Sequence, residues 1–168
     1  MAARQYLDHR AFGPFIRSDS KVLILGSFPS PKSREQAFFY GHPQNRFWRV
    51  LAAIAQEPVP KSRAEKERFL EKKQIALYDV IESCSIIGAA DSTIADVCPA
   101  DLRPLLAGSQ IGSSIYVNGG KAYEMYQKYT LPLLGIKATR LPSTSPANAA
   151  FSLDRLIELW GKELGGII

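Results

Sequence analysis

Asn45, Asp79, His42 and the Gly119-Gly120 pair are the residues of this chain whose types and settings could do chemistry. Asn45 ends the aromatic-rich stretch Phe38-Phe39-Tyr40-Gly41-His42-Pro43-Gln44-Asn45. A neutral amide both donates and accepts, so it can orient a water or contact the polar edge of a ligand. An Asn just ahead of an apolar helical pattern is also a favoured helix cap. Asp79 interrupts the apolar run 75–81, and a carboxylate there costs free energy unless it is paired or reaches a ligand. A Gly-Gly turn from strand to helix leaves amide groups able to hold an anion, or is simply a tight turn. His42 offers an acid or a base, although a loop histidine is more often structural or exposed.

These residues need a frame. The apolar run that opens residues 21–25 is short enough for a buried strand and breaks at Gly26-Ser27-Phe28-Pro29-Ser30. Phe47, Trp48, Leu51 and Ile54 share one helical face, so a helix is expected over residues 45–56. The strand, the rigid loop and the aromatics form either a pocket lip or a surface loop with core aromatics, one of Phe38 and Phe39 packing inward. A charged helix over 62–73, capped by Ser62, leads to a second strand at 75–81. Residues 82–98 read as a long loop and 100–108 as a short helix; residues 11–20 form an approach segment. A third strand at 113–118, a helix at 121–129, a fourth strand at 135–141 and a closing helix at 152–160 complete the pattern. Strands alternating with helices predict an α/β fold: three layers, α/β/α, around a central four-stranded parallel sheet. Ligands bind at the carboxyl ends of such strands. Those ends carry Gly26 to Ser30, Asp79, Asn118-Gly119-Gly120 and Leu141 to Ser145, so the unusual loops should gather at one edge.

Composition narrows the classes. With 168 residues, 46% of them hydrophobic, a single domain over 1–168 is expected. No apolar run reaches spanning length and the first residues lack the core of a signal peptide, so a cytoplasmic protein without membrane contact is expected. Cys84 and Cys98 make no zinc spacing and are too few for an iron–sulfur cluster; both are expected to be buried, and neither metal nor cofactor is called for. A net charge of +5 is compatible with a polyanionic partner.

In order and spacing the loops resemble the uracil-DNA glycosylase superfamily over nearly the whole chain. Gly26-Ser27-Phe28-Pro29-Ser30 stands where the mismatch-specific branch has G-I-N-P-G, and Leu141-Pro142-Ser143-Thr144-Ser145 stands where H-P-S or N-P-S would lie. Both polar anchors are missing, since Phe28 and Leu141 occupy their places. The chain therefore resembles most the hypoxanthine-DNA glycosylase family, to which residues 77–84, 90–94 and 118–122 are also similar.

The resemblance implies hydrolysis of an N-glycosidic bond in double-stranded DNA holding a deaminated base, hypoxanthine first. A chain of this size is expected to work as a monomer, and with only Lys32 and Lys121 as weak candidates for a pocket amine no lyase activity is expected. The resemblance also implies Asn45 as the catalytic amide and a base pocket of Gly26, Ser27, Phe28, Tyr40, Asp79 and Asn118. Tyr40 would stack on the flipped base, and Asp79 would accept from N1–H of hypoxanthine while repelling N1 of adenine. Phosphate contacts would come from Ser30, Lys32, Ser33, Gly120, Lys121, Ser143, Thr144 and Ser145, which position the duplex without reading it. The alternatives are a uracil, xanthine or mismatch-specific glycosylase, a non-catalytic binder of damaged DNA, and a hydrolase of free nucleosides.

Overall fold

The computed structural model describes residues 2–9, 12–88 and 90–168. Met1, Ala11 at the head of the expected approach segment and Ala89 inside the expected loop lie outside the described residues.

The centre of the molecule is strand β2, Val22–Gly26, whose residues are all buried. A strand buried on both faces must be continuously apolar, and Val-Leu-Ile-Leu satisfies this. Each such side chain contributes about 1.5–3 kcal/mol on full burial. Before it runs β1, Arg4–Asp8. Strands β3, Ile75–Asp79, β6, Ile115–Asn118, and β7, Thr139–Leu141, join β2 in a four-stranded sheet of order β3-β2-β6-β7, every pairing parallel. The expected central sheet is therefore present, flanked by helices. Register matters most at its carboxyl edge, where Gly26 pairs with Asp79 and Asn118 with Leu141. The strand ends that carry polar groups finish side by side.

The helices start where their caps dictate. Ser152 accepts from the Arg155 amide and opens α7, Leu153–Leu164, which packs against α2, Phe47–Ala55. Ser62 caps α3, Arg63–Lys73, in the same way. The helix after β6 begins at Gly120–Met125 (α5), widens into a π turn over Tyr126–Thr130 and ends in α6, Leu131–Leu134. The short helix expected over 100–108 narrows to α4, Arg103–Ala107.

Three sequence expectations are corrected. Residues 31–36, read as loop, form helix α1, Pro31–Gln36: Ser30 caps it through the Ser33 amide at 3.1 Å, and Pro31 sits in the first turn, where a missing N–H costs nothing. The supposed loop 82–98 contains strands β4, Ile81–Ile87, and β5, Ala95–Pro99, which with β1 make a second, antiparallel sheet of order β1-β4-β5. The strand expected at 75–81 therefore ends at Asp79, and the chain turns at Val80 into a different sheet. The Val80 and Ile81 amides donate to the Gly26 and Ser27 carbonyls at 2.8 and 3.0 Å, tying the corner to the loop after β2. Third, Cys84 is buried but Cys98 is exposed, because β5 has a neighbour on one side only.

Candidate active site

Gly26 makes the floor of the site possible. A Cβ built on it would lie 2.5 Å from Asp79 Oδ1 and 3.4 Å from the Tyr40 hydroxyl oxygen. Only a residue without a side chain lets the carboxylate and the phenol meet over the strand end. Asp79 is 4% exposed. Tyr40 has a left-handed backbone (φ 52°) and lays its ring on Phe47, with centroids 3.8 Å apart and 17° between planes. Its hydroxyl is buried and finds no acceptor among the described residues. Burial first, then the Asp79 carboxylate, push its pKa up, the Asn118 amide pulling the other way by less. The phenol thus stays protonated.

The wall beside this floor is a chain of polar groups with one possible direction. Backbone N–H groups can only donate, so Asn118 Oδ1 accepts from the Thr144 amide at 3.1 Å. Its Nδ2 then donates to Thr144 Oγ1 at 3.0 Å, and the single hydroxyl proton of Thr144 goes to Asn45 Oδ1 at 2.8 Å. The Phe47 amide also donates to Asn45 Oδ1, at 3.0 Å. Asn45 therefore caps the start of α2 and serves the site at once, since its oxygen is held twice and its Nδ2 donors remain. Capping the helix and lining the cavity coexist.

Arg46, next in the chain, locks the facing loop. Its guanidinium donates to the carbonyls of Ser145 at 2.9 Å and Asn148 at 3.1 Å and to that of Phe151, while its amide donates to the Thr144 carbonyl at 3.1 Å.

Together these elements enclose a cavity of about 320 Å³. Asn45 and all the residues expected around a base, Gly26, Ser27, Phe28, Tyr40, Asp79 and Asn118, line it. So do Ser30, Ser33, Ser143, Thr144 and Ser145, but not Lys32, Gly120 or Lys121. Two of the phosphate contacts are corrected. Thr144 is fully buried and occupied by its amide partners. Ser33 is 2% exposed, and its hydroxyl receives the Gly41 amide at 3.0 Å and the Ser30 hydroxyl at 3.1 Å. Both hydroxyls hold the protein together instead of facing a duplex. Lys32 is exposed and within 3.5 Å of Glu35. Gly120 lines a neighbouring groove with Arg140, Ser143, Ser145 and Lys162. Phe38 and Phe39 are both core, not one of them, although Phe39 also touches the cavity. His42 serves its own loop, accepting from the Gln44 amide.

The sequence reading missed several participants. Arg34, on α1, lines the cavity with its Cζ 5.9 Å from the Phe28 ring centroid. Its Nε is buried without a partner among the described residues, and burial lowers its pKa. Ile86 reaches the cavity from β4. His9 lies beneath, 3% exposed, with Nε2 donating to the Ile81 carbonyl at 2.5 Å and 4.0 Å from Asp79. Burial lowers its pKa. Nothing in the sequence around His9 points to that place.

The family model described as the uracil DNA glycosylase superfamily matches residues 14–161. The chain belongs to this superfamily. It is 35% identical over 150 residues to a protein of Methanosarcina acetivorans named hypoxanthine DNA glycosylase, a match covering 87% of this chain and 92% of the relative. A second protein of that name, from Methanosarcina barkeri, is 34% identical over 88 residues, covering 52% of this chain and 56% of the relative. The NMR solution structure of a candidate uracil DNA glycosylase from Methanosarcina acetivorans superposes with a TM-score of 0.76 at 32% identity, covering 93% of this chain and 96% of that one. Within this member of the superfamily, Leu141 does not line the cavity; it is 1% exposed and borders the neighbouring groove.

Proposed function

We propose that the chain is a monofunctional DNA glycosylase that hydrolyses the N-glycosidic bond of deaminated bases, hypoxanthine before uracil or xanthine, working as a monomer in the cytoplasm. The observation that carries this reading is the meeting of Asn45, Asp79, Tyr40 and Asn118 around one cavity, with Phe28 as apolar wall. The names of the two Methanosarcina relatives support the choice of hypoxanthine. Among the described residues no helix is long and apolar enough to cross a membrane.

As the bond between C1′ and the base breaks, its electron pair leaves with the base and positive charge gathers on the sugar. A fixed donor aimed at the growing negative charge is stronger in the transition state than in the ground state. Asn45 Nδ2 fills that role. Water then bonds to C1′ and yields its proton to solvent or the departed base, leaving free base and an abasic site. No lysine lines the cavity among the described residues, so no amine stands ready to attack C1′. Extruding the nucleotide costs a few kcal/mol, least for a mispaired base. Ser143, Ser145 and Gly120, with Arg140 and Lys162 in the adjoining groove, meet the phosphates on either side.

Offering the protein duplexes with hypoxanthine, uracil, xanthine or adenine and scoring strand breaks after alkali tests the reading. Hypoxanthine should be released fastest, and Asp79→Asn should narrow the gap between hypoxanthine and adenine, because the amide can donate to the adenine ring nitrogen. A wild-type protein that binds these duplexes and releases nothing would make it a damage-binding protein instead. Thr144 supplies a second check. Thr144→Val strips the hydroxyl that holds Asn45 and should slow base release about tenfold with little change in duplex affinity, while Thr144→Ser regains most of the rate. Equal rates for Val and Ser variants would remove Thr144 from the mechanism.

A further inference from the structure

The Tyr40 hydroxyl is a buried donor with no acceptor among the described residues, and a polar group in that state costs free energy until something arrives to accept from it. It approaches the same point above Gly26 as Asp79 Oδ1 does, to 3.4 and 2.5 Å. The cavity floor thus shows an acceptor and a donor next to each other.

We propose that these two side chains read the lactam edge that deamination creates: Asp79 takes the ring N–H and the Tyr40 hydroxyl donates to the carbonyl oxygen beside it. This rests on the glycosylase reading and replaces the stacking role expected of Tyr40, since Phe47 already covers one face of its ring and a ring lying flat on the base could not turn its hydroxyl into the base plane. Hypoxanthine offers N1–H beside O6, xanthine the same pair, and uracil N3–H beside O4. Adenine held in the same orientation presents a lone pair to the carboxylate, a clash, and an amino group that can donate to the phenol oxygen but leaves the phenol proton without an acceptor. Sites built to hydrogen-bond a particular group reject analogues that leave it unpaired. Guanine carries the lactam pair too, so its exclusion falls to the surroundings of C2 and to the cost of opening a G·C pair.

Tyr40→Phe keeps the ring and deletes only the hydroxyl. Single-turnover release by wild type and Y40F should be compared on hypoxanthine, uracil and 6-thiohypoxanthine, whose sulfur is a weak acceptor. We expect Y40F to lose about 10- to 100-fold on hypoxanthine and uracil and less than about threefold on the thio base. Its melting temperature should hold or rise, because a buried unpaired group has gone. Binding to a duplex carrying a cleavage-resistant 2′-fluoroarabino analogue of deoxyinosine should weaken about tenfold as well. Equal losses on all three bases would mean that the hydroxyl acts elsewhere than on the carbonyl oxygen, and rates and affinity within twofold of wild type would mean that the hydroxyl reads nothing. Either result overturns the inference while leaving the glycosylase reading intact. A wild type that releases no base sinks that reading instead, and the analogue affinity still decides the role of the hydroxyl.

Discussion

Asn45→Ala should lower the single-turnover rate of hypoxanthine release by about 10²- to 10³-fold, the loss expected when one fixed donor is taken from a developing negative charge. Duplex affinity should change far less, because the proposed role puts Asn45 against the base and not the backbone. The side chain also caps α2 through the Phe47 amide, so the Ala protein should lose about 0.5–2 kcal/mol of stability. Asn45→Asp separates the two effects. A carboxylate still accepts from the Phe47 amide and the Thr144 hydroxyl, so melting should stay near wild type. It cannot donate, so base release should fall as far as in Asn45→Ala. An Asn45→Asp protein as fast as wild type would show that the residue holds a water by accepting, and the donor assignment would fail.

Gly26→Ala should be nearly as damaging by a different route. No Cβ atom tolerates an oxygen at 2.5 Å, so either Asp79 Oδ1 moves or the strand end does. Asp79 is enclosed and cannot swing into solvent. The methyl therefore fills the point where carboxylate and phenol converge, and release of hypoxanthine and uracil should fall about 10²-fold or more. Overpacking of this kind costs about 1–3 kcal/mol, so the protein should remain folded at room temperature. Thermal melting beside single-turnover rates would check both parts, and a rate within threefold of wild type would show that the floor has slack we have not assigned.

How far the sequence led depended on what each element needs from its neighbours. Strand β2 and the face of α2 were legible because burial on every side demands an unbroken apolar run or a helical stripe. Asp79 was legible for the opposite reason, as a charge where none should be. Strand β4 was not. Its Ser83 and Ser85 are buried yet polar, and they are satisfied by partners far along the chain: Ser83 bonds the Tyr6 hydroxyl at 2.8 Å, and Ser85 donates to Asp96 at 2.8 Å. Such a strand has no local signature. Helix α1 hid behind Pro31, which reads as a breaker unless the preceding Ser30 is recognised as a cap. Thr144 and Ser143 look alike in the sequence; only the side chains of Asn118 and Asn45, brought in from elsewhere, decide that one turns inward. The direction of that hydrogen-bond chain, and with it the donor character of Asn45, belongs to the tertiary structure.

Arg46 carries one more consequence. It shares a backbone with Asn45 and grips the carbonyls of Ser145, Asn148 and Phe151, so the Asn45 amide and the loop proposed to meet the duplex are parts of a single stiff body. Neither can adjust to a bound strand without carrying the other along. The accommodation must then come from the nucleic acid, and a lesion whose sugar and backbone yield easily will be served ahead of one held in a tight stack, even when both present the same atoms to the pocket.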